Sequence, residues 1–158
     1  MKTIPELTIC GQIDFSQISF QCRQSGSNFD EILSIWDKDS DYEDYTRKIF
    51  PDSKIKFVYF DDDLSDPTIE KIQACLKWGK EVASNDKVLI HCQAGLSRSP
   101  AIALGVLYLA HQDVAKSIKE LLKIRPQARP NLHITQLIDQ AFQLDDELVK
   151  AVKYTFYA

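Results

Sequence analysis

Long apolar runs are missing from this chain of 158 residues, and no stretch approaches the roughly 20 residues of a membrane-spanning helix. The opening Met1-Lys2-Thr3-Ile4-Pro5-Glu6 has no secretory-leader pattern, so a cytoplasmic location is expected. An excess of basic residues is missing too. Lysine and arginine number 19 against 23 aspartates and glutamates, a net charge of -4. That balance argues against nucleic acid or a membrane surface as partner, so any seat for an anion must be local. Cysteines are few, and Cys10, Cys22, Cys75 and Cys92 show no close metal spacing. They read as free thiols of a reducing compartment, with no metal and no cofactor expected. Glycine occurs only five times, and repeats, linkers and low-complexity tracts are absent, which leaves one domain over residues 1–158, expected as a monomer.

What is present alternates. Leu7 to Cys10, Ile32 to Trp36, Lys54 to Phe60 and Lys87 to His91 have the apolar content of strands. Irregular chain is expected from Gly11 through Asn28, and a short helix from Asp41 to Ile49. Longer helices are expected at Pro67 to Ser84, Ala101 to Ala110, Asp113 to Ile124, and Asn131 to Tyr154. Strands interleaved with helices predict an α/β fold, a mainly parallel sheet of about four to five strands covered by helices on both faces. The aromatic tail ending Tyr154-Thr155-Phe156-Tyr157-Ala158 is expected to pack on its own domain rather than on a partner.

The most specific signal is His91-Cys92-Gln93-Ala94-Gly95-Leu96-Ser97-Arg98-Ser99, placed directly after the run Val88-Leu89-Ile90. A strand entering and a helix leaving force the loop to curl, so successive N–H groups of Gln93, Ala94, Gly95, Leu96, Ser97 and Arg98 face one hollow. Such nests bind anions. Ser99 followed by Pro100 reads as a cap and first helical position. Arg98 supplies a planar fork that grips two phosphate oxygens. Gly95 suits an unusual dihedral close to a ligand. A thiol at a helix N-terminus beside a cation drops from roughly 8.5 to about 3.5–7.5, which would make Cys92 a nucleophile at rest. Ser99 would stand beside the sulfur as it leaves, and His91 would orient the loop. The plain alternative is an inert buried cysteine near a surface arginine.

This loop resembles the signature His-Cys-x-x-Gly-x-x-Arg-Ser of the protein tyrosine phosphatase superfamily, in the form found in its dual-specificity branch. Arg125, Arg129-Pro130-Asn131 and Gln136-Leu137 are similar to the segment after the fifth helix of that branch, with the gap between the two pairs one residue shorter here. The resemblance implies that Asn131 anchors the surroundings of the site and that an arginine of this segment touches substrate. On the residues alone, Asn131 reads as a helix cap, and Arg125 and Arg129 as a solvated basic loop.

The resemblance also implies a general acid on a loop about thirty residues before the cysteine. Asp61, Asp62, Asp63 and Asp66 stand there. A strand burying Val58 and Phe60 projects Asp62 to the same side if extended geometry persists, which favours Asp62 while Asp61 and Asp63 stay open. Asp66 before Pro67 reads as a helix N-cap. Three adjacent carboxylates are expected to raise one another's pKa.

The function expected is hydrolysis of phosphate monoesters on a phosphorylated protein or peptide through a phosphocysteine. Phosphotyrosine comes first and phosphoserine or phosphothreonine are additions, both by resemblance. A phosphate-binding scaffold without turnover and a rhodanese-type sulfur transferase are the competing classes. The uncharged Gln93, Ala94, Leu96 and Ser97 disfavour polyanionic lipid headgroups. A disulfide between Cys92 and another cysteine stays open.

Overall fold

The computed structural model describes residues 5–82 and 86–158. Four strands, β1 (Glu6–Gly11), β2 (Glu31–Trp36), β3 (Lys54–Tyr59) and β4 (Lys87–Cys92), form one parallel sheet in the order β1-β4-β2-β3. Their register pairs Cys10 with His91 and Ser34 with His91. β4 is therefore central, and its residues from Val88 to Cys92 are all buried. The edge strand β3 alternates instead, with exposed Lys54 and Lys56, which blunt the edge against further pairing.

Among the described residues the helices are α1 (Phe15–Ser25), α2 (Glu43–Ile49), α3 (Ile69–Glu81), α4 (Arg98–His111), α5 (Val114–Ile124), α6 (Leu132–Phe142) and α7 (Glu147–Phe156). α4 is buried from Arg98 to Leu107 and packs against α3, α5 and α6 on one face of the sheet. That core includes Ile35, Phe60, Ile72, Ile90, Cys92, Ile102, Leu104 and Val152. A smaller core holds Cys10, Phe15, Cys22, Phe29, Ile32, Trp36, Phe50 and Leu89. Each such large side chain contributes about 1.5–3 kcal/mol on burial. The apolar residues of β4 and α4 are matched by this burial from both sides. None of the helices among the described residues is long and apolar enough to cross a membrane.

Several expectations need correction. The chain after Gly11 is not irregular: a 3-10 turn (Gln12–Asp14) leads into α1. α1 buries Phe15, Ser19 and Cys22 at helical spacing, but a serine and a cysteine in the stripe mask it, and Gly26 at φ 68° ends it. The single helix expected from Asn131 to Tyr154 is two. Gln143, Asp145 and Asp146 adopt positive φ, and the buried Asp139 carboxylate accepts from the N–H groups of Asp146, Leu148 and Val149, satisfying the start of α7. α3 begins after Thr68 rather than at Pro67 and ends at Glu81, where Val82 turns to extended backbone; the end expected at Ser84 itself lies outside the described residues. Asp66 is not its cap. The Asp66 carboxylate accepts from the Asp61 N–H at 2.8 Å and lies within 4 Å of Lys38 and Lys71.

The tail packs on its own domain. α7 buries Leu148, Val149 and Val152, and the Tyr157 hydroxyl donates to the carbonyl of Pro130 at 2.8 Å.

Candidate active site

At the carboxyl end of β4 the chain turns through Gln93 to Ser97 into α4, and the carbonyls of this turn all point outward. His91 Nδ1 bonds the Cys92 carbonyl at 3.2 Å. The Gln12 N–H takes that of Gln93 at 2.8 Å, and the Arg129 and Asn131 N–H groups take those of Leu96 and Ser97 at 2.7 and 3.0 Å. Arg125 donates to the carbonyls of Gly95 and Ala94. With every carbonyl from Cys92 to Ser97 occupied outside the loop, the amide N–H groups are free to line the inside. The Gly95 N–H lies 3.3 Å from the Cys92 sulfur.

Two close backbone approaches fix this shape. Gly95 sits at φ 72°, and a Cβ there would meet the Cys10 carbonyl carbon and the Gly11 nitrogen at 2.5 Å. A Cβ on Gly11 would meet Ala94 at 2.6 Å. Main chain offers no flexible end to yield, so both positions require glycine.

The side chains then converge. Cys92 Sγ lies 3.1 Å from Ser99 Oγ. Arg98, only 4% exposed, donates through Nη1 to Asp37 Oδ1 at 2.6 Å and to the Phe60 carbonyl at 2.8 Å. Among the described residues its other nitrogens have no partner, which leaves one edge of the guanidinium for two anion oxygens. His91 is fully buried, and burial above all pushes its pKa down to about 4, with the charge of Arg98 adding to the effect. It is therefore neutral: Nδ1–H donates to Cys92, and the Ser34 hydroxyl donates to Nε2 at 2.6 Å.

Asp62 hangs over the loop. Its Oδ1 accepts from Ser97 Oγ at 2.7 Å and from Asn131 Nδ2 at 2.8 Å, leaving Oδ2 without a partner among the described residues. Asn131 also caps α6, its side chain accepting from Ile134, so the cap and the anchor are one residue. Asp61 accepts from the Lys38 N–H. Asp63 departs from the expected upward shift. The N–H groups of Asp66 and Ser65 hold its carboxyl below the usual range, committing it to the turn. Ser99 is not the cap of α4: the helix starts two residues earlier than expected, at Arg98 after Ser97, whose hydroxyl is spent on Asp62.

Asp37, Ser34 and the propping role of Arg125 were not legible from the motif. Asp37 has one usable signal: it directly follows a strand, at the carboxyl end where ligands of such sheets bind. Arg129 stacks over the Tyr157 ring, 4.8 Å from its centroid. Cys10 pairs with His91 in the sheet and so faces away from Cys92, placing the sheet backbone between the two sulfurs. Burial, followed by Asp14, pushes the Cys10 thiol up, and burial pushes that of Cys75 up to about 12, so both stay protonated near neutrality.

The sulfur, the guanidinium and the carboxylates of Asp37, Asp61 and Asp62 line one cleft of about 760 Å³. Among the described residues no group of three or more histidine, cysteine or acidic side chains is placed to hold a metal.

A four-stranded parallel sheet with a cysteine in an amide-lined loop at the end of its central strand is the protein tyrosine phosphatase fold, shared with solved structures. DUSP15 superposes with a TM-score of 0.65 at 18% identity, over 99% of this chain and 96% of that one. Human DUSP28 gives 0.64 at 17% identity over 88% and 94%. The PTP-2 phosphatase of Cydia pomonella gives 0.65 at 23% identity over 85% and 84%. Residues 13–143 match the family model described as the dual specificity phosphatase catalytic domain, and the chain belongs to that family. Among curated proteins no sequence matches.

Proposed function

We propose that this chain is a metal-independent cysteine phosphatase acting on phosphorylated proteins or peptides, on phosphotyrosine first and on phosphoserine and phosphothreonine in addition. The observation that carries the reading is the outward commitment of all six carbonyls from Cys92 to Ser97, which leaves an amide-lined seat with one thiol and one guanidinium edge inside it. Three equatorial phosphoryl oxygens are held there by the N–H groups of Gln93 to Arg98 and by Arg98.

Cys92 attacks phosphorus as the thiolate, forming an S–P bond as the bond to the leaving oxygen breaks. That oxygen takes the proton carried on Asp62 Oδ2, the oxygen that Ser97 and Asn131 leave free. Water then attacks phosphorus, giving its proton back to Asp62, while the P–S electrons return to a sulfur that the Ser99 hydroxyl stabilises. Inorganic phosphate leaves.

The test is hydrolysis of an aryl phosphate and of a phosphotyrosyl peptide in chelator-treated buffer. Turnover is expected, inhibited by vanadate, and lost in Cys92→Ser. Full activity in the serine variant would overturn the reading. Tight phosphopeptide binding without turnover by the wild type would favour the scaffold.

A further inference from the structure

The cleft has a second character besides its phosphate seat. Ile13, on the 3-10 turn, lines it at 89% exposure, and Tyr45 of α2 lines it from another side. Exposed apolar groups from separate segments thus gather at one mouth, which is the usual mark of a surface that receives a partner. The aromatic one is held in place from below, Tyr45 stacking on the buried Phe15. Rings fixed in this way lose little entropy on contact.

The charge at this mouth decides what the partner carries. From Asp37 to Tyr45 the chain reads Asp-Lys-Asp-Ser-Asp-Tyr-Glu-Asp-Tyr, five carboxylates against one lysine. Asp37 and Tyr45, its two ends, both line the cleft. Asp39, Asp41 and Asp44 are exposed and without an ion pair among the described residues. Cations of neighbouring segments are engaged: Lys38 lies near Asp66, Arg125 near Asp14, and Arg129 over Tyr157. Between Asp37 and Tyr45 the exposed carboxylates outnumber the one lysine, and of the cations next on α2 Arg47 lies over Phe57 while Lys48 is exposed. A polyphosphorylated headgroup would be repelled there, and a peptide with cationic side chains attracted.

Resting on the phosphatase reading above, we propose that the mouth selects phosphotyrosyl peptides with lysine or arginine beside the phosphorylated residue. Tyr45 and Ile13 receive the ring and the adjoining peptide, and Asp39, Asp41 and Asp44 receive the cations.

The experiment measures kcat/KM for three phosphotyrosyl peptides of equal length with basic, neutral or acidic flanks, and for phosphoinositide vesicles. The basic peptide is expected to exceed the acidic one by about tenfold at low salt, with the ratio shrinking as salt rises. In the triple variant Asp39→Asn, Asp41→Asn, Asp44→Asn the ratio falls toward one; if that variant does not fold, Asp41→Asn alone still lowers it. Tyr45→Ala raises KM for the basic peptide about fivefold. Equal or better turnover of the acidic peptide, a ratio untouched by the asparagines, or vesicles hydrolysed as fast as the basic peptide would overturn the proposal. If nothing is hydrolysed the phosphatase reading fails, yet binding of the same peptides to Cys92→Ser still reads the preference and decides this proposal separately.

Discussion

Two loops meet at the carboxyl end of the sheet, and they are held by opposite means. The phosphate loop, Cys92 to Ser99, is fixed from outside: main-chain donors of Gln12, Arg129 and Asn131 and the side chain of Arg125 hold its carbonyls, and Gly95 lies against the backbone of Cys10 and Gly11. The acid loop, Asp61 to Asp66, is held by its own carboxylates. Asp63 accepts from Ser65 and Asp66, Asp66 accepts from Asp61, Asp61 reaches the Lys38 N–H, and Asp62 reaches across to Ser97 and Asn131, which also donates to the Asp63 carbonyl. The phosphate loop is therefore rigid before a substrate arrives, while the acid loop is a largely exposed turn tied to the rest of the fold by side-chain contacts of Asp61, Asp62 and Asp66 and by Asn131. On the proposed mechanism, preorganisation is placed where charge develops, and adaptability where a leaving group must fit.

The comparison is broken or sharpened by substitutions in each loop. Asp62→Asn is expected to lower kcat by about 10³-fold on a phosphotyrosyl peptide, and by less on p-nitrophenyl phosphate, whose leaving group needs little protonation. Asp61→Asn should cost under about tenfold, because its carboxylate holds the Lys38 N–H. Steady-state kinetics that rank the two variants the other way would move the acid to Asp61. Gly95→Ala should lower kcat/KM by about 10²-fold and weaken vanadate binding in parallel, since a Cβ at 2.5 Å from backbone displaces the cradle. An alanine variant with unaltered vanadate affinity would show that the loop is not rigid.

A smaller effect separates Arg98 from its support. Asp37 Oδ1 lies 2.6 Å from Arg98 Nη1, and a charge-assisted bond of this kind is worth about 1.5–3 kcal/mol. Asp37→Ala should raise the inhibition constant of inorganic phosphate about tenfold by letting the guanidinium turn. An unchanged constant would mean that the Phe60 carbonyl and packing suffice.

The same contrast explains what was legible in the amino-acid order. Cys92, Gly95 and Arg98 belong to one continuous strand-loop-helix, so local chain chemistry announces them, and so does the burial of β4 and α4 through their apolar runs. Asp62 was favoured by strand alternation, but its separation from Asp61 and Asp63 rests on contacts to Ser97 and Asn131, 35 and 69 residues away. Ser34 acts across to the neighbouring strand and Asp37 reaches the first residue of α4, contacts between distant segments that leave only the place of Asp37 directly after β2 as a local mark. α1 was missed because Ser19 and Cys22 stand in its buried stripe, and the break between α6 and α7 because it depends on the buried carboxylate of Asp139. Pairing between segments, rather than propensity within one, is what the sequence hides.

The mildest test reads the foundation of the rigid loop through pH. His91 lies beneath the phosphate loop, neutral, with burial holding its pKa at about 4 against about 6.5 in an unfolded chain. Between those values the unfolded state binds a proton that the folded state refuses, so folding stability falls as pH drops through this window and is unaffected above it. The full difference is about 3 kcal/mol. Urea unfolding across roughly pH 7 to 4.5 should show this loss in the wild type, and a shallower one in His91→Gln. The loss is sited in the rigid loop because a protonated Nε2 can no longer accept from Ser34, and the bond to the Cys92 carbonyl then hangs on a mispaired ring. Equal slopes in the two proteins would place the acid sensitivity elsewhere, and the ring under Cys92 would then be a packing element rather than a fixed hydrogen-bonding strut.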